Sequence, residues 1–205
     1  MLRSMILSAA RPIHAKLRAS RCHMAVQVMQ PSQSMSLLDI GGSPGFGGEF
    51  DTLRSLFGHV VVVNIDARCE PRVASNVTFE VADGCALPYA DHSVDWVFSN
   101  AVLEHVGDRA KQERFTAEMQ RVARVGYFLS TPNRHFFLDP HTYLPFYHLL
   151  PKNIQKAAIH CSLGHMREWR PLSLVSANDL HSMLPSAQVT SVGPLGMNLI
   201  AYGCA

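Results

Sequence analysis

The chain has 205 residues, 47% of them hydrophobic, and a formal net charge of +2 at pH 7. That length suits one domain with a full core, and the near-neutral balance argues against nucleic acid or an anionic membrane as the main partner. No apolar run approaches the roughly 20 residues of a membrane-spanning helix. The cysteines Cys22, Cys69, Cys85, Cys161 and Cys204 are scattered and form no CxxC pair, which points away from a disulfide framework or structural zinc and toward a reducing compartment.

No Asp or Glu occurs before Asp39, whereas Arg3, Arg11, Lys16, Arg18 and Arg21 stand among several serines. Segment 1–35 is therefore expected to be a basic helical unit, a cap or a targeting segment, made of one or two helices that Pro31 and its serine neighbours end. Its composition resembles a mitochondrial transit peptide. The competing reading is an ordinary helix ahead of the first strand, with Ile13, Leu17 and Met24 as core contacts. A cytoplasmic location is expected, with a mitochondrial one as the alternative.

Segment 36–205 is expected to be the main domain. Ser36 to Ile40 predicts a first strand, followed at once by the glycine-rich turn Gly41-Gly42-Ser43-Pro44-Gly45. Apolar residues at helical spacing then predict a helix from about Gly47 to Phe57. Val60 to Ile65 is a β-branched run of the kind buried on both faces of a parallel sheet, and it ends at Asp66. A third strand, Val77 to Ala82, ends at Asp83-Gly84, and a fourth, Val94 to Ser99, follows a turn-rich connection. Asp108 to Val122 reads as an amphipathic helix with Phe115, Met119 and Val122 on one face. Val125 to Ser130 is a fifth strand, stopped by Thr131-Pro132-Asn133. Segment 134–170, rich in His, Pro and aromatic residues, breaks the rhythm as an insertion of short helices. A helix over Ser173 to Leu184 and closing strands near 187–192 and 197–203 complete the chain. The alternation predicts an α/β, Rossmann-like, doubly wound sheet of seven strands, mostly parallel, with the last strand antiparallel and helices on both faces.

Ligands of such sheets lie beyond the carboxyl ends of the strands. Those ends carry Gly41 to Gly45, Asp66, Asp83-Gly84, Ser99-Asn100 and Thr131 to Asn133. Asp66, about 20 residues past the glycine turn, is placed to accept hydrogen bonds from ribose hydroxyls, which fits any adenosine cofactor. The glycines do not complete the dinucleotide pattern G-x-G-x-x-G: Ser43 interrupts it from Gly41, and Phe50 from Gly45. No Walker sequence is present.

Asp39-Ile40-Gly41-Gly42-Ser43-Pro44-Gly45 resembles motif I of the class I S-adenosylmethionine-dependent methyltransferases. The block from Val81 through Asp83, Leu87-Pro88 and Asp91 to Val97 resembles the next motif of that family. Val102-Leu103-Glu104-His105-Val106 is similar to the motif after the fourth strand in its small-molecule, type 11-like branch. One departure stands out, Ser43-Pro44 in place of the motif's middle glycine. The resemblance implies S-adenosyl-L-methionine as cofactor. It brings Gly41, Gly42 and Gly45 to its methionine and ribose parts, Asp39 to the amino group, and Asp66 to the ribose. It places Asp83 on the adenine amine, Gly84 and Cys85 against the adenine, and Asn100 below the methionine end.

A sulfonium methyl is already activated, so its transfer needs alignment and exclusion of water, with a base added when the nucleophile is a hydroxyl. His141 and His105 are the catalytic candidates, ahead of His135. The aromatic residues of 134–170 are candidates for walls of a substrate pocket. The spacing of His148, His160, Cys161 and His165 matches no standard zinc pattern, so no metal is expected. The expected partner is a small-molecule or lipid-like acceptor, methylated at oxygen or nitrogen, with no nucleic acid and no transmembrane segment; nothing in the sequence fixes an oligomeric state. The rival readings are a non-catalytic scaffold on the same fold and an NAD-dependent oxidoreductase.

Overall fold

The computed structural model describes residues 2–42, 48–69 and 75–205. Among the described residues, seven strands form one sheet in the order β3-β2-β1-β4-β5-β7-β6. They are β1 (Ser36–Ile40), β2 (His59–Asn64), β3 (Val77–Val81), β4 (Val94–Asn100), β5 (Ala123–Pro132), β6 (Gln188–Val192) and β7 (Asn198–Cys204). The pairs β1 to β2, β1 to β4, β2 to β3 and β4 to β5 are parallel. The last strand, β7, runs antiparallel to both of its neighbours, β5 and β6, as the sequence predicts. The chain order reverses at β1, with β2 on one side and β4 on the other, and this places a ligand crevice at the carboxyl end of β1.

Alternation along the strands divides the core into two layers. Leu38, Ile40, Val61, Val63, Val97 and Leu129 pack on one face against α3 (Arg109–Val122), through Phe115, Met119 and Val122, and against α5 (Ala177–Met183), through Leu180 and Met183. Leu37, Val60, Val62, Trp96, Phe98 and Phe128 pack on the other face against α1 (Leu2–Met29) and α2 (Gly48–Ser55). From α1 come Cys22, Ala25 and Met29, and from α2 come Phe50 and Leu53, with Phe57 just beyond it. The four-valine run of β2 is buried throughout, which explains its continuous apolar character.

β5 and α5 differ most from their predicted bounds, the other elements shifting by at most two residues at an end. β5 extends past the expected stop at Thr131 because β7 pairs with it out to Pro132. α5 starts later than expected because Ser176 caps it. The Ser176 side chain accepts from the Asp179 N–H, and the Asp179 carboxylate accepts from the Ser176 N–H at 2.8 Å, a capping box that sets the first turn. The residues before it are held in extended form, with Ser173 donating its N–H to the Glu104 carbonyl at 2.9 Å. α1 is a single helix with Pro12 inside it. It is bound to the start of α2 by the Cys22 thiol donating to the Glu49 carbonyl at 2.9 Å and by an Arg18–Glu49 ion pair at 3.4 Å. Segment 134–170 contains α4 (Lys152–Ala158) and short 3-10 turns, with a small core of its own around Tyr147, Ile159 and Met166. No helix among the described residues is long and apolar enough to cross a membrane.

Candidate active site

A cavity of about 330 Å3 opens at the carboxyl ends of β1, β2 and β3. Its wall includes Gly41, Asn64, Ile65, Asp83, Gly84, Cys85 and Val102. Gly41 leaves β1 with φ +81°, and a Cβ there would lie 2.3 Å from Val102 Cγ2; only glycine turns the chain at this point without strain. Asp83 folds its own corner: its carboxylate accepts the Cys85 N–H at 2.9 Å. Asn64 links two strand ends, donating to the Gly42 carbonyl at 3.0 Å and accepting from the Asp66 N–H at 3.0 Å.

The structure thus gathers four predicted cofactor residues, Gly41, Asp83, Gly84 and Cys85, around one cavity. Others stand apart from its wall. Asp39 points to the opposite face of the sheet, buried, where Arg54 Nε donates to it at 2.8 Å. Gly42 leaves no room for a side chain beside that pair, since a Cβ would lie 2.6 Å from Arg54 Nη2. Asp66 lies at the cavity's rim in sequence, one residue past the lining Ile65. Hydrogen bonds from Arg68 hold its carboxyl down to about 2. Asn100 accepts from Arg21 Nε of α1 at 3.1 Å. Gly45 and the Ser43-Pro44 departure lie outside the described residues.

A second, larger cavity of about 830 Å3 lies beside the first, and His105 is on the wall of both. The roof of the larger one is α1, which presents Leu7, His14, Leu17, Arg18 and Arg21. Its floor comes from Glu104, Pro132, Pro140, His141, Tyr143, His165 and Met197. The His141 loop is built on Asp139, which is fully buried. Its Oδ1 accepts from the backbone N–H groups of His141 at 3.0 Å and Thr142 at 2.8 Å and from the Thr142 hydroxyl at 2.9 Å. Tyr143 follows with φ +58°, a left-handed conformation costing a non-glycine residue about 1–2 kcal/mol. The surrounding loop over-determines it: the Tyr143 N–H bonds the Asp139 carbonyl at 2.9 Å, and its hydroxyl lies 2.6 Å from His14 Nε2. Gly164 packs so closely that a Cβ would lie 2.1 Å from the His141 carbonyl oxygen, and this approach brings His165 to 5.4 Å from the His141 ring.

Both predicted catalytic histidines meet here. The rings of His105 and His141 are edge to face, 5.2 Å apart. Burial lowers His141 to about 4, and burial also lowers His105. His135 contributes to neither cavity. One residue missed in the sequence is Glu104. It is fully buried, accepts from the Thr131 hydroxyl at 3.2 Å, and has its Oε1 3.9 Å from His105 Nε2. Burial pushes its carboxyl up to about 7. The signal was its place beside His105 in the motif after β4. Arg18 and Arg21 were also missed as pocket residues, since a basic amphipathic helix reads equally well as a solvated one. Burial lowers Arg21 to about 10.

Comparison with known proteins places these features. Residues 38–130 match the family model described as a methyltransferase domain. An uncharacterized methyltransferase of Mycolicibacterium gilvum is 39% identical over 100 residues, which cover 46% of this chain and 37% of that protein. One of Mycobacteroides abscessus is 29% identical over 136 residues, covering 58% and 49%. The aligned stretch therefore spans little more than a third of the first relative's length. Among solved structures, an S-adenosylmethionine-dependent methyltransferase of Thermotoga maritima superposes with a TM-score of 0.63 at 15% identity, covering 98% of this chain and 97% of that one. Magnesium protoporphyrin IX methyltransferase of Synechocystis, with S-adenosylhomocysteine bound, superposes with a TM-score of 0.60 at 12% identity, covering 93% and 82%. Residues 38–130, a little under half of the chain, are similar to a methyltransferase domain, and the fold around them is the one seen in S-adenosylmethionine-dependent methyltransferases.

Proposed function

We propose that this chain transfers a methyl group from S-adenosylmethionine, held in the smaller cavity, to a small or lipid-like acceptor held under α1. The observation that carries this reading is His105, which borders both cavities, so that groups bound in each meet at one wall. Gly41 and Gly84 leave space for the cofactor's close approach, Asp83 and Cys85 take its adenine, and Asp66 takes the ribose hydroxyls. Asn100, tied to Arg21, serves the methionine end. The walls of Leu7, Pro12, Leu17, Pro132, Pro140 and Met197 favour an acceptor with an apolar body. Closing this pocket with α1 excludes water, which otherwise competes for an activated methyl.

His105 and His141 stand beside the acceptor atom, an oxygen or nitrogen, and assist loss of its proton, directly or through a group they hold. The new bond to carbon forms with the acceptor's electron pair as the sulfur–methyl bond breaks and its pair stays on sulfur. The scattered cysteines fit a cytoplasmic setting. The test is calorimetric titration with S-adenosylhomocysteine, with NADH as control. Micromolar binding of the first alone is expected. No binding by protein shown to be folded overturns the reading and leaves the fold as a scaffold.

A further inference from the structure

Glu104, His105 and His141 each offer a ligand atom, and these atoms all lie within 4.8 Å of one another. Two of the three residues carry a buried side-chain atom without a hydrogen-bond partner: Glu104 Oε1, on a residue with no exposure, and His141 Nδ1, on a residue 7% exposed. Buried polar atoms are ordinarily satisfied, and two unsatisfied ones beside a third donor describe a coordination site. The supports of these side chains are the second layer that metal ligands need. Thr131 fixes the Glu104 carboxylate by donating to Oε2, and the Asp139 turn fixes the His141 backbone.

We propose that Glu104, His105 and His141 hold a divalent transition-metal ion on the wall shared by the two cavities. Two imidazoles and one carboxylate suit zinc, iron or cobalt and disfavour magnesium and calcium, which take oxygen ligands. Zinc–nitrogen bonds of about 2.0–2.1 Å put tetrahedral ligand atoms some 3.3 Å apart, closer than the cluster's present 4.8 Å limit. His105, with 48% of its side chain exposed, is the ligand free to rotate inward. Three protein ligands leave coordination positions open, and all three residues line the larger cavity. An acceptor oxygen reaching the ion there would complete its shell.

The binding itself does not depend on methyl transfer; its use does. An ion lowers the pKa of a coordinated hydroxyl as it does that of water. The acceptor's proton would leave to solvent before α1 closes the pocket, and the oxygen's electron pair would then take the methyl as the sulfur–methyl bond breaks with its pair staying on sulfur.

The experiment is competition for Zn2+ between chelator-treated full-length protein and a chromophoric chelator, with Co2+ absorption as a second readout. One ion per chain with micromolar or tighter affinity is expected, unaffected by millimolar Mg2+. His105→Ala and Glu104→Gln are each expected to weaken it at least tenfold. His105 is half exposed, so its variant keeps the fold, as circular dichroism will check. Zn2+ affinity unchanged in both variants, or no binding by the folded wild type, overturns the proposal. S-adenosylhomocysteine is titrated into the same samples. Zn2+ binding without cofactor binding sinks the methyl-transfer reading and leaves the metal site standing, and the reverse sinks only the metal.

Discussion

The two cavities meet at His105 but are assembled differently. The smaller one is made mostly of strand ends and the turns that directly follow β1, β2, β3 and β4, with Lys111 and Phe115 of α3 closing one side. The larger one draws on α1, the loop after β4, the Asp139 turn, His165 and Met197, segments brought together from opposite ends of the chain. The first is a property of the sheet, and any sequence that forms these strands forms that crevice. The second exists only while separate pieces stay docked, so it is the part in which a chemistry particular to this chain would be built.

The largest expected effect breaks the rigid side of this contrast. Arg54→Met leaves Asp39 buried without its partner, and removing one member of a buried ion pair costs about 3–5 kcal/mol. Urea unfolding should show that loss; an unchanged midpoint would mean that Asp39 does not rely on Arg54 and is available to a ligand. His141→Ala tests the docked side. It should leave S-adenosylhomocysteine affinity within about twofold while turnover, once an acceptor is found, falls about a hundredfold, the low end for a group that assists proton removal. Equal turnover would reduce His141 to scaffold.

A smaller effect bears on how far the first cavity extends. Asp66→Ala should weaken S-adenosylhomocysteine binding about tenfold, or 1.4 kcal/mol, by leaving ribose hydroxyls unpaired. Unchanged calorimetric affinity would confine Asp66 to its pairing with Arg68. The smallest effect lies outside both cavities. Ser176→Ala should cost about 1 kcal/mol through loss of the α5 cap. The Ser176 hydroxyl, first among its partners, holds Asp179 below the ordinary carboxylate value of 3.8. The stability Asp179 lends is therefore present above that value and is lost as pH falls through the lower folded value. In the variant that acid-side loss should shrink, and unfolding followed from pH 5 downward will show it.

What could be read before folding follows the same division. The positions of β1, β2 and β3 follow from short apolar runs ended by Gly or Asp, and Gly41, Asp83, Gly84 and Cys85 came with them because they are neighbours in sequence as well as in space. Asp39 illustrates the limit. Motif position brought it to the strand, but the direction of its side chain depends on the two-residue period of β1 and on an arginine fifteen residues later. The length of β5 was underestimated because its last residues are held by β7, which lies far along the chain. Glu104 was passed over because a carboxylate in a short turn ordinarily faces water, and only the packing of Thr131 and His141 around it made it a buried group.

The sequence by itself determined the order of strands and helices, the reversed last strand, the crevice at the end of β1 and the glycine that opens it. These depend on hydrophobic period and turn chemistry, which act over a few residues. The tertiary structure alone decided that α1 roofs a pocket, that Asp39 pairs with Arg54, and that Glu104, His105 and His141 converge. Such convergence rests on contacts between residues tens of positions apart, and no local pattern of side chains encodes which of them will meet.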